Sequence, residues 1–410
     1  MFSKRTAGRF LALLLSSVPA WCFASGFAQY ELSAAASAMS HAYICRVEDP
    51  SAVWYNPAAL IRLEGDQLYF GTAFIQTDGD FTPRESSNAI GAVRITSVPV
   101  NLYFSHQISD DTVLAFGVYN PFGLTTEWPE DSQASFVNIR TKLRAFYLTP
   151  SIGYKITPNL SIGGGVDFVI ADLTLQRNVS PAPASPFVIV QDVKVDGSDF
   201  GFNLGALVKT NSNVQFAFTY KHKVDVDFDG SVVFENVPAA FRPVFQDGGA
   251  NITLPLPSQM TVGAATSFSR VSFEGNVIWT RWDDLEALRL NFDRNTPPDT
   301  NLRRAYRNSW SVRLGTQFNA TKHLSLRGGY LYDRTPVPDK AVDPILPDAS
   351  RNRISVGAGY GSGSWRFDAA YSTLLFEDRE SPVDNFTSPL AAGLYTNTTN
   401  QFAFGLAYKF

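Results

Sequence analysis

The chain has 410 residues, with 34 basic and 38 acidic side chains and a formal net charge of −4. This balance provides no basic surface for nucleic acid, and no apolar stretch reaches the roughly 18 residues that a transmembrane helix needs. The length favours either two or three soluble domains or one large closed sheet.

The N-terminus has the organisation of a secretory signal peptide. Basic residues precede the apolar run FLALLLSSVPA, and small residues follow it. This order predicts a signal over residues 1–24 that is cleaved after Ala24. The alternative is a lipoprotein signal cleaved before Cys22, but Trp21 is too bulky for the position before that cut.

No arrangement of reactive side chains indicates catalysis or a bound cofactor. Without the signal, Cys45 is the single cysteine, and a small buried residue is its simplest interpretation. The four histidines are scattered without the spacing of metal ligands. No catalytic triad or carboxylate pair stands in a fitting context. We therefore predict that the protein is not an enzyme and holds no cofactor or metal.

Apolar and polar residues alternate along almost every stretch beyond about residue 66. In NVQFAFTYKHKVDVDFDG, the even positions from Val214 to Phe228 are apolar or aromatic, and the odd positions are mostly polar or charged. A period of two predicts β-strands. An apolar face opposite a charged face suits a barrel wall between lipid and a polar interior. A soluble β-sandwich also alternates and is the alternative.

The connections between the predicted strands distinguish these two folds. They alternate between short turns and long loops rich in Pro, Asn and Asp. An even number of strands with short turns at one end is typical of a bacterial outer-membrane barrel, whose short end faces the periplasm. The fourteen predicted strands cover residues 66–76, 97–107, 112–120, 139–155, 159–176, 198–209, 213–233, 252–268, 270–290, 307–318, 322–333, 351–361, 363–377 and 399–410.

The C-terminus agrees with a closed barrel. Aromatic and apolar residues occupy every second position from Phe402 to Phe410. The last strand must pair with the first, because an open edge in hydrocarbon leaves backbone groups unsatisfied. A terminal Phe also resembles the signal that outer-membrane assembly machinery reads. We predict an all-β membrane protein of the Gram-negative outer membrane, with a 14-stranded antiparallel transmembrane β-barrel over residues 66–410.

Residues 25–65 do not share this alternation. ELSAAASAMSHAY is rich in Ala and has helical propensity, and EDPSAVWYNPAALIRLEG contains a turn followed by a short apolar run. Small residues favour close packing inside a lumen, and a barrel of this width leaks unless it is filled. We therefore predict a small, partly helical N-terminal hatch in the lumen.

Several segments, in the same order, resemble the FadL-type outer-membrane transporters. They include SGFAQYELSAAASAMSHAY, NPAAL, NPFGLTTEW, IWTRWDDLEAL and LPDASRNRISVGAGY, and the resemblance extends over essentially the whole mature chain. It implies a barrel plugged by a hatch and passive uptake of long-chain fatty acids or, in relatives, aromatic hydrocarbons, with a lateral exit. The alternatives are a diffusion porin for polar solutes and a surface adhesin or enzyme. A porin does not need a plug of this size.

The resemblance also implies where ligand and hatch meet. In the family the mature N-terminus sits in the ligand pocket, which assigns Phe27 to ligand binding; the alternative is that Phe27 only packs the hatch. The hatch motif of the family matches Asn56, Pro57 and Ala58, and Asn56 is a candidate ligand contact.

A kink in the third strand of the family opens the wall sideways. It is expected here at Ala115, Phe116 and Gly117, because glycine adopts backbone angles forbidden to other residues and Pro121 cannot donate to the ladder. The alternative is that Gly117 is a packing glycine in a regular strand. Opposite the kink we expect the hatch motif.

A fatty-acid carboxylate requires a cation, and arginine suits it because its planar fork donates two hydrogen bonds. Each candidate could instead bind lipopolysaccharide phosphates or lie in a solvated loop. The arginines at the family's basic ligand contacts are Arg177, Arg303, Arg304 and Arg307.

The chain departs from the family pattern within the hatch. Ser40 and His41 stand where the family commonly has Gly-Arg, which leaves the polar contacts of the hatch open. The expected partners are a hydrophobic ligand, outer-membrane lipid and lipopolysaccharide, and the assembly machinery. We expect a monomer that binds no nucleic acid.

Overall fold

The computed structural model describes residues 26–182, 185–293 and 299–410. The predicted signal peptide, residues 1–24, lies outside these residues. None of the helices in the described ranges is long and apolar enough to cross a membrane. The described chain has two parts, an N-terminal segment of short helices and a large antiparallel sheet.

The sheet closes on itself and confirms the predicted fold. Each strand pairs with the next, and the last pairs with the first along its whole length, from Gln67–Lys409 to Pro83–Gly393. The chain therefore ends inside the seam. The fourteen wall strands within the described residues are β1 (Asp66–Pro83), β2 (Ile90–Gly91, Thr96–Ser97 and Val100–Ser109), β3 (Thr112–Glu127), β4 (Arg140–Thr157), β5 (Leu160–Val179), β6 (Ile189–Lys209), β7 (Gln215–Lys221 and Val224–Glu235), β8 (Gly248–Leu256 and Ser258–Phe268), β9 (Val271–Arg281 and Ala287–Phe292), β10 (Thr300–Arg303 and Ser309–Asn319), β11 (Leu324–Asp333), β12 (Arg351–Ser362), β13 (Trp365–Phe376 and Arg379–Ser381) and β14 (Gly393–Lys409).

Several strands extend further at the long-loop end than the sequence predicts. β1 continues to Pro83, and β3 continues to Glu127. β6 begins at Ile189 and β14 at Gly393, in segments predicted as loops. These segments contain Gly, Asp, Asn and Pro, which usually indicate loops. In the barrel, a neighbouring strand on each side pairs with them and keeps the backbone extended.

The wall is apolar outside and polar inside over the lower part of the barrel. On β14, Phe402 and Phe404 are exposed, whereas the alternate residues Gln401 and Ala403 are buried against the lumen. An outward apolar surface with an inward polar one is what a barrel in hydrocarbon requires.

The faces exchange at one level on β7 and β8, which corrects the single continuous face predicted for β7. Below His222, Phe216 and Phe218 are exposed. Above Lys223, Val226 and Phe228 are buried, and the alternate residues Asp227 and Asp229 face outward. β8 is interrupted beside this level at Pro257, and its upper segment likewise buries Ile252, Leu254 and Leu256. The exchange indicates that the outer face meets lipid below this level and water above it.

The N-terminal segment contains three short helices, α1 (Ala34–Ala38), α2 (Ala52–Tyr55) and a 3₁₀ helix (Pro57–Arg62). Almost all of its side chains are buried. The Ala34 N–H donates to the Tyr69 hydroxyl of β1 at 2.9 Å, and the Ile44 N–H donates to Glu274 Oε1 of β9 at 2.5 Å. Contacts with opposite sides of the ring place this segment inside the barrel.

Glycines in the wall strands allow the backbone of the N-terminal segment to pack directly against the backbone of the strands. A Cβ added to Gly329 on β11 would lie 2.2 Å from the carbonyl carbon of Met39, just after α1. On the outer face of the same strand, a Cβ on Gly328 would have its nearest neighbour at 3.8 Å.

The two adjacent glycines provide a matched test of this packing. We expect Gly329→Val to destabilise the purified protein by about 1–3 kcal/mol, because the side chain overlaps backbone that cannot move aside. Gly328→Val should be close to neutral. The measurements are the thermal midpoint in detergent and proteolysis of the N-terminal segment; equal behaviour of the two variants would contradict the contact.

The short turns are expected on the periplasmic side. In a Cys45→Ala background, Val383→Cys in a long loop should react with a membrane-impermeant maleimide on intact cells. Asn159→Cys in a short turn, which is also exposed in the structure, should react only after permeabilisation. The opposite labelling pattern would contradict this orientation.

Candidate functional site

The wall is interrupted between β2 and β3. The two strands pair in register up to Leu102–Val118, and they meet again where the Val93 N–H donates to the Glu127 carbonyl at 2.8 Å. Between these points the described residues show no backbone hydrogen bond from β3 to β2, whereas β3 remains paired with β4. We call this interruption, residues 119–126 of β3, the β3 break.

An extra residue and a proline produce the break. The register of β3 against β4 shifts between Tyr119 and Phe122, so β3 carries one more residue than β4 across Asn120 and Pro121. Such a bulge bends a strand, and proline has no N–H to give to the ladder. Asn120 lies in this bulge and is buried, and Phe122, which pairs with the buried Ala145, lies on the lumen face. The bulge therefore turns the side chains of β3 at the break toward the lumen.

The N-terminal segment pairs with the edge that β2 leaves free. The Gln29 N–H donates to the Pro121 carbonyl at 2.8 Å, and the Gly123 N–H donates to the Phe27 carbonyl at 3.1 Å. These bonds form an antiparallel bridge centred on Ala28 and Phe122. Backbone groups at the break are thus satisfied from inside the lumen.

The break lies beyond Ala115, Phe116 and Gly117, where the kink was expected. These three residues pair in register with both neighbouring strands. A Cβ on Gly117 would lie 2.7 Å from the Tyr103 ring, so glycine permits close aromatic packing here rather than a bend. The expected position is therefore corrected to Asn120–Pro121.

A cavity of about 180 Å³ lies directly against the β3 break. It is lined by residues 26–31, by residues 123–126 of β3, and by side chains of β1, β2 and β11 to β14. The apolar lining includes Phe27, Leu124, Leu331, Leu346, Leu374 and Phe376.

Two arginines of β12 bring charge to this cavity. Arg353 Nη1 donates to Glu31 Oε1 at 2.6 Å, and Arg351 Nη2 donates to Asp333 Oδ2 at 3.2 Å. Arg351 and Arg353 are two residues apart on one strand, so they share the lumen face. Asp348 completes the charged lining, and its Oδ2 accepts from the Gly26 N–H at 3.2 Å.

The environment determines the protonation of the titratable residues at and beside the cavity. Burial by itself would raise the pKa of Glu31, but the charge of Arg353 and the contact with His41 hold that pKa well below its usual range. Burial and Arg353 lower the pKa of His41 to about 3, so the imidazole is neutral. Burial raises the pKa of Asp348 to about 6. Glu31 and Arg353 thus form an ionised contact between the N-terminal segment and the wall.

Phe27 lies at the cavity, in the place that the resemblance implied. Its ring packs edge-on against Trp282, with centroids 4.8 Å apart, and against Phe122 of the β3 break at 6.1 Å. The side chain therefore lies between the cavity and Phe122 of the break.

Asn56 does not line the cavity. Its Oδ1 accepts from the Ala58 N–H at 3.1 Å and its Nδ2 donates to the Ile44 carbonyl at 2.9 Å, which shapes the start of the 3₁₀ helix at Pro57. A Cβ on Gly205 of β6 would lie 2.2 Å from Asn56 Oδ1. The motif Asn56, Pro57 and Ala58 thus rests on the wall of β4 to β6.

The predicted cationic ligand contacts lie away from this cavity. Arg177 donates to Gln191 Oε1 at 2.7 Å and lines a separate pocket. Arg303 is exposed, 3.4 Å from Glu286. Arg304 is fully buried and bonds to Asp343 Oδ2 at 2.7 Å. Arg307 is exposed at the surface.

Sequence reasoning missed Arg351 and Arg353, although the segment RNR at the start of a predicted strand carried the signal. Alternate residues of a strand share a face, so both arginines had to face the lumen or both had to face lipid. Cys45 is buried and unbridged, in agreement with the prediction. Within the described ranges, no group of His, Cys, Asp and Glu could hold a metal ion.

Comparison with known proteins identifies the family. Residues 15–410 match the model of the family described as outer membrane protein transport protein (OMPP1/FadL/TodX). The chain belongs to this family. It is therefore an outer-membrane β-barrel of a transporter family and not an enzyme, as predicted.

Individual relatives agree with this assignment. The chain is 26% identical to a long-chain fatty acid transport protein of Escherichia coli O6:H1, over 85% of this chain and 86% of that protein. It is also 26% identical to outer membrane protein P1 of Haemophilus influenzae, over 82% and 83% of the two chains.

Two solved structures share the fold. A FadL homologue of Pseudomonas aeruginosa superposes with a TM-score of 0.84 at 22% identity, covering 94% of this chain and all of that one. The toluene transporter TodX of P. putida superposes with a TM-score of 0.78 at 18% identity, covering 95% and 99%.

Proposed function

We propose that the protein carries hydrophobic small molecules passively across the outer membrane, long-chain fatty acids before aromatic hydrocarbons. The observation that carries the proposal is the position of an apolar-lined cavity directly against the β3 break. The names of the relatives, which include fatty acid transport proteins and a toluene transporter, support the same class of substrate.

The physical problem is to bring an apolar solute past a polar surface layer. A water-filled pore offers such a solute no gain in free energy, whereas removal of apolar surface from water contributes about 25 cal/mol per Å². The cavity provides that surface. Passage through the β3 break then leads into the outer leaflet, where the solute stays out of water.

We further propose that residues 25–65 act as the hatch and residues 66–410 as the barrel, with residues 1–24 removed as a signal peptide. The buried helices and the wall glycines support a plug that fills the lumen. In this scheme, Phe27 occupies the space of the ligand, and Asn56, Pro57 and Ala58 anchor the hatch rather than bind ligand.

The outer surface suggests the remaining partners. Exposed aromatic and aliphatic side chains along the lower strands are suited to contact outer-membrane lipid, and the long loops are suited to contact lipopolysaccharide. Phe410, 70% exposed at the end of β14, is available to assembly machinery. We propose that the barrel acts as a monomer.

A reversible cross-link tests the lateral exit. In a Cys45→Ala background, Val100→Cys on β2 and Asn120→Cys on β3 continue the register across the break. Closing this pair with a thiol-cleavable bifunctional reagent should abolish oleate uptake by cells that lack their own transporter, and reductant should restore it.

The matched control joins Leu102→Cys to Val118→Cys, which are paired neighbours just below the break. This cross-link should leave uptake unchanged. Full uptake through the cross-linked 100–120 pair would instead support passage straight down the lumen.

Removal of the hatch tests its role as a plug. A chain with an intact signal but without residues 25–65 should conduct ions far better than the complete protein in planar bilayers, because water would fill the lumen. Conductance equal to that of the complete protein would place the segment outside the permeation path.

A further inference from the structure

Both arginines at the cavity retain hydrogen-bond donors without partners. Arg353 uses Nη1 for Glu31 and Nε for Ser355 Oγ at 3.1 Å, and its Nη2 is buried without an acceptor among the described residues. Arg351 uses Nη2 for Asp333, and its Nε is buried and likewise lacks an acceptor in the described ranges. Buried donors of a charged group are normally satisfied, and because these two arginines line the cavity, their N–H groups are available to an acceptor placed there.

Another lumen arginine shows the satisfied arrangement. Arg327 of β11 donates from Nε to Gln317 Oε1 and from Nη1 to Asp368 Oδ1, both at 2.7 Å. It does not line the cavity. Buried donors without an acceptor among the described residues also occur at Arg304, Arg313 and Arg366, away from the cavity, so the assignment of Arg351 and Arg353 rests on their place in the apolar cavity and on their spacing.

We propose that Arg351 and Arg353 bind the carboxylate of an acidic apolar ligand, and that Glu31 opposes this binding by holding Arg353. This inference rests on the proposed transport of hydrophobic molecules and assigns the residues that distinguish acids from neutral ligands. It replaces Arg177, Arg303 and Arg304 as the ligand's cationic contacts.

The geometry suits a carboxylate with an apolar tail. Residues two apart on a strand are separated by about 6.6 Å, a span that two arginine side chains close around one carboxylate. Leu331, Leu374 and Phe376 line the same cavity and would contact the methylene chain.

The acidic neighbours set the strength of the site. Each arginine already has a carboxylate partner, Glu31 for Arg353 and Asp333 for Arg351. A ligand carboxylate therefore meets donors whose charge is largely balanced. Transport requires ligand binding that is strong enough for entry and weak enough for release. The partial neutralisation of each arginine by its carboxylate partner is consistent with such moderate binding.

The test compares oleate with its uncharged methyl ester. Binding to the full-length protein in detergent is followed by titration calorimetry. Arg353→Gln and Arg351→Gln should each weaken oleate binding roughly tenfold or more and leave methyl oleate binding unchanged, since a charged hydrogen bond is lost only with the acid. Glu31→Gln should strengthen oleate binding and leave the ester unaffected.

Arg327→Gln is the matched control, because it removes a buried, ion-paired lumen arginine away from the cavity. It should leave the ratio of oleate to ester affinity as in the wild type. Correct folding is checked by heat-modifiable gel mobility. Should Arg353→Gln not fold, Arg351→Gln and Glu31→Gln provide the same comparison.

The outcomes separate the two proposals. If Arg351→Gln and the folded Arg353→Gln bind oleate as the wild type does, the assignment is overturned while transport of hydrophobic molecules stands. If the wild-type protein binds neither oleate nor its ester and cells expressing it take up neither, the transport proposal fails and the assignment fails with it. Loss of acid binding with intact ester binding supports both.

Discussion

The structure depends on one constraint, the pairing of every backbone N–H and carbonyl that lies in hydrocarbon. The closure of β14 on β1 meets it over most of the wall. The β3 break is the exception, and there the N-terminal segment supplies the missing partners through Phe27 and Gln29. The plug and the wall are therefore one hydrogen-bonded system, and movement of the first residues exposes the edge of β3.

The same segment therefore couples the cavity to the β3 break. Phe27 and Glu31 belong to the segment that satisfies the break, and both line the cavity. A ligand that occupies this space competes with the groups that keep the wall sealed. A ligand would enter this barrel by displacing the first residues of the N-terminal segment from the cavity. The rest of that segment would stay packed against the wall glycines.

The barrel could be predicted from the sequence because the two-residue alternation and the alternating loop lengths recur along most of the chain. It predicted Phe27 at the cavity through the resemblance. The break was placed too early because Gly117 has two readings in a sequence, and only the rings of Tyr103 and Tyr119 decide between them. The surroundings of the candidate arginines could not be predicted for a similar reason: the partner of Arg304 is Asp343, which lies far along the chain. Long-range pairing of this kind leaves no local pattern.

The exchange of faces at His222 and Lys223 divides the barrel into two regimes of stability. Below it, side chains on the outer face move from lipid to lipid when strands separate, so the hydrophobic effect contributes little and backbone pairing dominates. Above it, Val226, Phe228 and Ile252 are shielded from water as in a soluble protein. Denaturants act mainly on surface that water can reach. Above the exchange, we therefore expect the upper parts of β7 and β8 to respond to urea and temperature as the core of a soluble protein does.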